Sequence, residues 1–304
     1  MAISRTQLVK ELEPGLNALF GLEYKRYENQ HAEIYVTESS DRAFEEEVML
    51  SGFANAQVKA EGQGVSFDTA QETYTARYTH DTVALAFAIT EEAIEDNLYD
   101  RLASRYTKAL ARSMSNAKQV KAAKPLNDGL PSTDNFDSGD AVSLFSTNHA
   151  TVSGTAVKNT LTTQADLNET SLEQSLIDIA EMTDERGLRV AARAMKMIIP
   201  SANQFTAERL MKSQGRTGTA DNDINAVVSM GMVPQGYRVN NFLTDTDSWY
   251  LITDVPNGMK MFQRAALKTA MEGDFDTGNV RYKARERYSF GVSDFRGIFG
   301  VEGA

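Results

Sequence analysis

The chain of 304 residues has no cysteine, a single tryptophan, six prolines and three histidines. Without cysteine there can be no disulfide, no thiol nucleophile and no zinc–thiolate centre. His31, His80 and His149 lie far apart and share no ligand spacing. Signatures of metalloproteases, serine hydrolases, dinucleotide-binding turns and P-loops are all missing. No apolar run approaches the ~20 residues that cross a bilayer. The start, Met1-Ala2-Ile3-Ser4-Arg5-Thr6, lacks the apolar segment of a signal peptide. Basic charge is also scarce: 31 Lys and Arg face 42 Asp and Glu, a net charge of −11. That balance opposes broad docking on phosphate backbones. With 41% hydrophobic residues, what remains is a soluble, acidic, globular chain. Folded compactly, a chain of this mass would expose roughly 13,000 Å².

Two stretches resemble sites and fail as such. Gly215-Arg216-Thr217-Gly218 is glycine-rich but lacks the P-loop lysine. Asp274-Phe275-Asp276-Thr277-Gly278-Asn279 resembles a calcium loop, yet Gly278 and Arg285 stand where oxygen ligands belong. A turn suits it better. No catalytic, cofactor-binding or metal-binding residue is proposed by the chain, and no cofactor is implied. An acidic hydrolase using an Asp/Glu pair survives only as a remote alternative.

Periodicity is more informative. Residues 3–20 read as a short amphipathic helix on Leu8, Leu12, Leu16 and Leu19, broken or bent at Pro14-Gly15. From Tyr24 to Glu47 the chain is polar and acidic, suggesting an extended arm. Between Val48 and Ile89 the period becomes two, around a turn at Gly62-Gln63-Gly64. Tyr74, Ala76 and Tyr78 alternate with polar residues, and Val83, Leu85, Phe87 and Ile89 with alanines. Such a ribbon is marginal alone and needs a surface to lie on.

Thr90 can cap a long helix, with Ile89 and Ile94 forming a hydrophobic staple. Acid at its start and base at its end complement the helix dipole. An i+4 row runs through Ile94, Leu98, Leu102, Tyr106, Leu110 and Met114, and Pro125 should end the helix near Lys124. Gly/Ser/Asp-rich loops fill 127–161. A capping box at Thr170-x-x-Glu173 opens a helix that Gly187 stops, and Ser201-x-x-Gln204 opens another ending near Gly215. Strands are expected at Met195–Ile199, Tyr237–Phe242, Trp249–Thr253 and Met259–Gln263. In the final strand, Val280, Tyr282, Ala284, Tyr288, Phe290 and Val292 share one face, with Glu286 the polar exception. Arg281, Lys283, Arg285 and Arg287 share the other.

Arm, hairpin, girder helix, mixed central unit and long returning strand occur together in this order. Particular stretches are family-like: Leu144-Phe145-Ser146-Thr147-Asn148-His149, Thr219-x-Asp221-Asn222-Asp223-Ile224-Asn225 and Leu243-Thr244-Asp245-x-Asp247-x-Trp249. So are the 274–279 turn, Glu286-Arg287-Tyr288-Ser289-Phe290-Gly291 and Asp294-x-Arg296-Gly297. On these the chain resembles tailed-bacteriophage major capsid proteins, most closely the Mu-like major head subunit.

The resemblance implies an α+β, tailed-phage major capsid (Johnson-type) fold. Its parts would be an N-arm (1–47), an E-loop hairpin with flanking strands (48–88), a peripheral domain with the spine helix (89–126), an axial domain (127–264) and a C-terminal return (265–304). It implies a non-enzymatic head subunit that assembles with itself as hexamers and pentamers into an icosahedral shell around double-stranded DNA. That shell would hold DNA without tight specific binding, touch no membrane, and be assembled in the bacterial host cytoplasm before ending in the virion. Lacking a long N-terminal scaffolding segment, the chain would depend on a separate scaffold or a removed propeptide, beside a portal and decoration proteins. An encapsulin-like nanocompartment shell is the nearest alternative. Subunit contacts are expected at Glu45, Glu46, Glu47, Lys59, Tyr74, Tyr78, Arg281, Lys283, Arg285 and Arg287. For the basic strand face, the competing reading is a solvated edge that resists sheet aggregation.

Overall fold

The computed structural model describes residues 5–90, 92, 99–133, 135–215, 223–274 and 278–304. Helix α1 (Arg5–Arg26) leads into strands β1 (Val36–Ser39), β2 (Phe44–Leu50), β3 (Glu72–Thr79) and β4 (Asp81–Ile89), then helix α2 (Tyr99–Asp128). Helix α3 (Glu169–Ala180), β5 (Ala194–Ile199), α4 (Gln204–Lys212), the single turn α5 (Ala226–Ser229) and β6 (Tyr237–Val239) follow. Strands β7 (Trp249–Thr253), β8 (Met259–Gly273), β9 (Val280–Val292) and β10 (Ile298–Val301) complete the chain. They form two four-stranded sheets, ordered β1-β8-β9-β4 and β10-β7-β5-β6, and a separate ribbon β2-β3. Helix and sheet are both substantial, as the α+β expectation requires. Among the described residues no helix is long and apolar enough to cross a membrane.

The long helix is the girder that was expected, with two differences. Its beginning, with Glu91 and the staple partner Ile94, lies outside the described residues; the described part is unbroken over 30 residues, about 45 Å. It continues through Pro125 to Asp128 instead of stopping at Lys124. Leu126 and Leu130 are buried in the main core, so tertiary packing outweighs the backbone hydrogen bond that proline cannot make. Tyr106 is 49% exposed, off the contact line. The buried line runs Ala103, Thr107, Leu110, Met114, Lys118, Ala122 and Leu126, shares Leu110 and Met114 with the expected row, and departs from it by one three-residue step.

Helix α1 passes through Pro14 without interruption and extends to Arg26. Phe20 is buried against Tyr282, and Asn17 accepts hydrogen bonds from Tyr282 (2.8 Å) and Thr269 (2.7 Å). The following segment is docked as well: Ile34 and Tyr35 are core residues, and Tyr35 donates to the Ala122 carbonyl at 2.6 Å. The supposed free arm therefore lies largely on its own body. Its strand β1 adds in parallel to β8, which no period-two pattern announced.

Smaller corrections concern helix ends. Asn168 and Ser171 form the capping box of α3, and the helix ends at Ala180, before Gly187. Residues 201–203 form a 3₁₀ turn, and Asn203 precedes α4 without a side-chain cap. Strand β9 is not last; β10 returns to pair with β7. The main core centres on the second sheet, where Trp249, Tyr250 and Leu251 are fully buried. The chain exposes 17181 Å², about a third above the compact expectation.

Candidate assembly surface

Strand β2 reverses the usual arrangement of an amphipathic strand. Glu45 and Glu47 point to the body, whereas Phe44, Val48 and Leu50 point away with Glu46. Glu47 accepts from Lys260 Nζ at 2.5 Å, and the same ammonium lies 3.2 Å from Glu38 on β1. Burial works against the Lys260 charge, but the bonds to Glu47 and Glu38 hold its proton above the usual lysine range. Glu45 accepts from the Ser40 hydroxyl at 2.6 Å. Phe44, Val48 and Leu50, on the alternate positions, are 40%, 44% and 61% exposed. The loop beyond, residues 51–71, leaves Val58 and Phe67 each 99% exposed. Among the described residues its far side is tethered by Arg186, which donates to the Thr69 carbonyl and sits 4.0 Å from Asp68.

The structure moves the ribbon's start to Phe44, so Glu45, Glu46 and Glu47 belong to the hairpin and not to the arm. Glu46 pairs with Arg77 across the register at 3.7 Å. Lys59 is exposed near the tip. Tyr78 has a different fate: it is 2% exposed within its own chain. Its ring lies on Gly291, where any Cβ would come within 2.6 Å, and its hydroxyl meets that of Ser293. Tyr74 is half-buried, with its hydroxyl 3.5 Å from the Ser293 carbonyl. Both tyrosines help dock the ribbon's root within the subunit. Alternation in sequence could identify their shared face but not what that face would meet.

Strand β9 keeps the two faces read from sequence. Tyr282, Ala284 and Tyr288 are buried beneath α1 and α2, and Glu286 with them. Glu286 is met by Lys118 at 3.4 Å and by the Tyr24 hydroxyl. Burial raises the carboxyl above its ordinary range, more than the lysine lowers it. On the open face, Arg281 bonds Asp274 and half-buried Arg287 reaches the Ala43 carbonyl at 3.5 Å. Lys283 and Arg285 are exposed, and among the described residues no carboxylate meets them. Lys268 lies directly opposite Arg285 in the register. Like charges directly opposite each other repel. On the other flank are exposed Ala84, Ala86 and Ala88 of β4, leaving a flat, basic, shallow face.

Among the described residues no cluster of His, Asp or Glu could hold a metal ion. The Asp274 amide donates to the Asn279 carbonyl at 2.8 Å; residues 275–277 lie outside the description, as do 216–222.

Comparison with known proteins now bears on this surface. No curated protein matches the chain. The capsid of Myoviridae phage XM1 is similar in structure, with a TM-score of 0.53, 10% identity, and coverage of 89% of this chain and 90% of that one. The capsid of an empty GTA particle gives 0.52 and 15%, covering 90% and 89%. A virus-like particle from Pyrococcus furiosus gives 0.53 and 9%, covering 94% and 98%. At these identities the likeness speaks for the fold. The sequence itself matches the family described as phage capsid protein over residues 73–301, most of the chain. An acidic chain with a girder helix, a protruding ribbon and apolar residues turned outward is thus, by family, a structural subunit: the chain belongs to the phage capsid protein family.

Proposed function

We propose that the chain is the major head subunit of a tailed phage of Mu-like type, building an icosahedral shell of hexamers and pentamers around double-stranded DNA. The observation that carries this reading is the reversed polarity of β2 and its loop. Burying one fully exposed Phe or Val side chain stabilises by about 1.5–3 kcal/mol. Phe44, Val48, Leu50, Val58 and Phe67 forgo that within the subunit, and a second copy can supply it. Charge supports the same pairing. Between Phe44 and Thr79 the ribbon carries six carboxylates against Lys59 and Arg77. Among the described residues no carboxylate meets Lys268, Lys283 or Arg285, while Glu272 on the same face lies opposite Arg281. Glu46, exposed Glu61 and Glu72 of one copy would relieve the repulsion on that face of the next.

On this reading residues 1–47, 48–88, 89–126, 127–264 and 265–304 serve as arm, hairpin, peripheral, axial and return segments, with the hairpin starting at Phe44. A separate scaffold, a portal and decoration proteins would act with it. Assembly in the host cytoplasm would precede incorporation into the virion, and no reaction would be catalysed. Sedimentation tests the reading: megadalton particles from the purified chain support it, and a lone subunit even when the chain is produced together with its scaffold refutes it. Particles from cells distinguish the nanocompartment alternative by holding an enzyme cargo where a head would hold nucleic acid. Reversing two cations, Arg281→Glu with Arg285→Glu, should abolish assembly at low salt; normal shells would remove the basic face from the interface.

A further inference from the structure

The edges of the two four-stranded sheets are guarded unevenly. Strand β1 has four residues and β6 three, and β10 is buried along its whole length. Strand β4 differs from all of them. It ends its sheet, is nine residues long, and pairs with β9 alone in an unbroken register from Asp81 to Ile89. Its outer face, Thr82, Ala84, Ala86 and Ala88, is exposed. Even on the face turned to α2, Leu85 is 46% exposed. Tyr106 of α2, its ring 5.8 Å from that of Phe87, is exposed beside it. A free edge presents a row of unpaired amides and carbonyls, which proteins blunt with charge, proline, a bulge or brevity. No charged residue, proline or bulge interrupts 82–89.

We propose that β4 is a two-fold interface, on which a second copy of the chain adds its own β4 antiparallel, joining two four-stranded sheets into one. The strand's own sequence selects this occupant. Turned end for end about Leu85, residues 82–88 complement themselves: Thr82 meets Ala88, Val83 meets Phe87, Ala84 meets Ala86, and Leu85 meets its counterpart. Small residues oppose small ones on the outer face. Large apolar residues oppose each other on the inner face, where aromatic and β-branched cross-strand pairs are favourable. No like charges meet. Asp81, bonded to Lys121 at 2.6 Å, falls opposite Ile89. The cations of β9 would stand three strand spacings from their copies, about 14 Å, beyond a Debye length of about 8 Å.

Main-chain hydrogen bonds along the edge supply the attraction, and the alternating side chains fix the register. The loop of another copy's ribbon, with Lys59, Glu61 and Asp68 along it, has no such match to β4. A contact of this kind is isologous and closes on itself, so it joins two copies without propagating into a fibre. It uses neither the apolar residues of the ribbon nor the basic face, and is therefore separate from the hairpin contact.

Because the chain has no cysteine, introduced thiols report the pairing without background. In the full-length chain, Leu85→Cys sets two thiols directly opposite each other, where Cβ atoms are about 4.5–5.5 Å apart. A mixture of Ala84→Cys chains with Ala86→Cys chains does the same on the outer face. Opposed pairs alternate between wider and closer spacing, so one of the two arrangements has the closer one. Ala84→Cys alone leaves its thiols out of register, with Cα atoms about 8 Å apart and past disulfide reach. After mild oxidation, a denaturing, non-reducing gel should show a shift from monomer to dimer for Leu85→Cys or for the mixture, and none for Ala84→Cys alone. Adding Thr82→Lys and Ala88→Lys, which puts ammonium groups opposite each other, should abolish the dimer. No dimer in either arrangement overturns the proposal, and so does a dimer that forms equally in Ala84→Cys alone or survives the added lysines. Sedimentation of the same samples keeps the two readings apart: megadalton particles without cross-links remove the β4 pair and leave the shell, and cross-linked dimers that never form particles do the reverse.

Discussion

The ribbon β2-β3 and the strand β7 are built from similar apolar residues that meet opposite surroundings. On β7, Trp249, Tyr250 and Leu251 are fully buried, and the Trp249 indole donates to the Ala165 carbonyl at 3.2 Å. On β2 and its loop, Leu50, Val58 and Phe67 lie in solvent while glutamates take the inner positions. One region derives its stability from its own chain; the other keeps its apolar surface for a neighbour. The comparison teaches that hydrophobicity names residues to be buried without saying in which molecule.

Truncation should break the comparison most visibly. Trp249→Ala should cost about 3–5 kcal/mol of subunit stability, read by denaturant unfolding, since it leaves a cavity in a closed core. Next comes the buried pair beneath β9. Lys118→Met strands the Glu286 carboxylate and should cost about 3 kcal/mol, whereas Lys118→Met with Glu286→Leu should restore most of it. A double variant no better than the single one would show that the pair acts through something other than charge.

Acid should weaken the segment docked between these regions. His31 accepts from Gln119 at 2.9 Å and is held neutral, pushed down to about 4. A depressed histidine contributes stability present above its unfolded value and lost as pH falls toward 4. From about pH 6.5 to about pH 4 the loss should be on the order of 2–3 kcal/mol. His31→Asn should flatten that part of the stability–pH curve. The smallest effect on the subunit should come from the ribbon. Phe67→Ser should change unfolding by less than about 0.5 kcal/mol, as exposed substitutions do, while light scattering shows assembly impaired. A large loss of subunit stability would mean that Phe67 is packed internally.

Much of this was legible because local pattern and tertiary use agreed. The alternation on β9 assigned both faces correctly, including the isolation of Glu286 among apolar residues, although it could not show Lys118 and Tyr24 waiting for it. The girder was visible from its length and apolar row; Leu110 and Met114 of that row lie on the buried line, while Tyr106 stays half exposed. Strands β1 and β10 were missed. Each has four residues, too few for a period, and each exists only because β8 or β7 offers an unpaired edge.

By itself, then, the sequence determined the girder helix and the two faces of β9, and that the chain is acidic and free of thiols, but it ended β8 at Gln263 where the strand runs on to Gly273. Those properties depend on neighbours three, four or two residues away. Only the tertiary structure decided that Glu45 and Glu47 turn inward, that Tyr74 and Tyr78 are used within the subunit, and that His149 meets oxygen at both nitrogens. Lys260 and Ser293 lie 213 and 215 residues from Glu47 and Tyr78, while Asp140 and Asn159, nine and ten residues from His149, are brought to it by loops without a sequence period. A period in the sequence says which side chains share a face. What that face touches is set by how the chain returns to it.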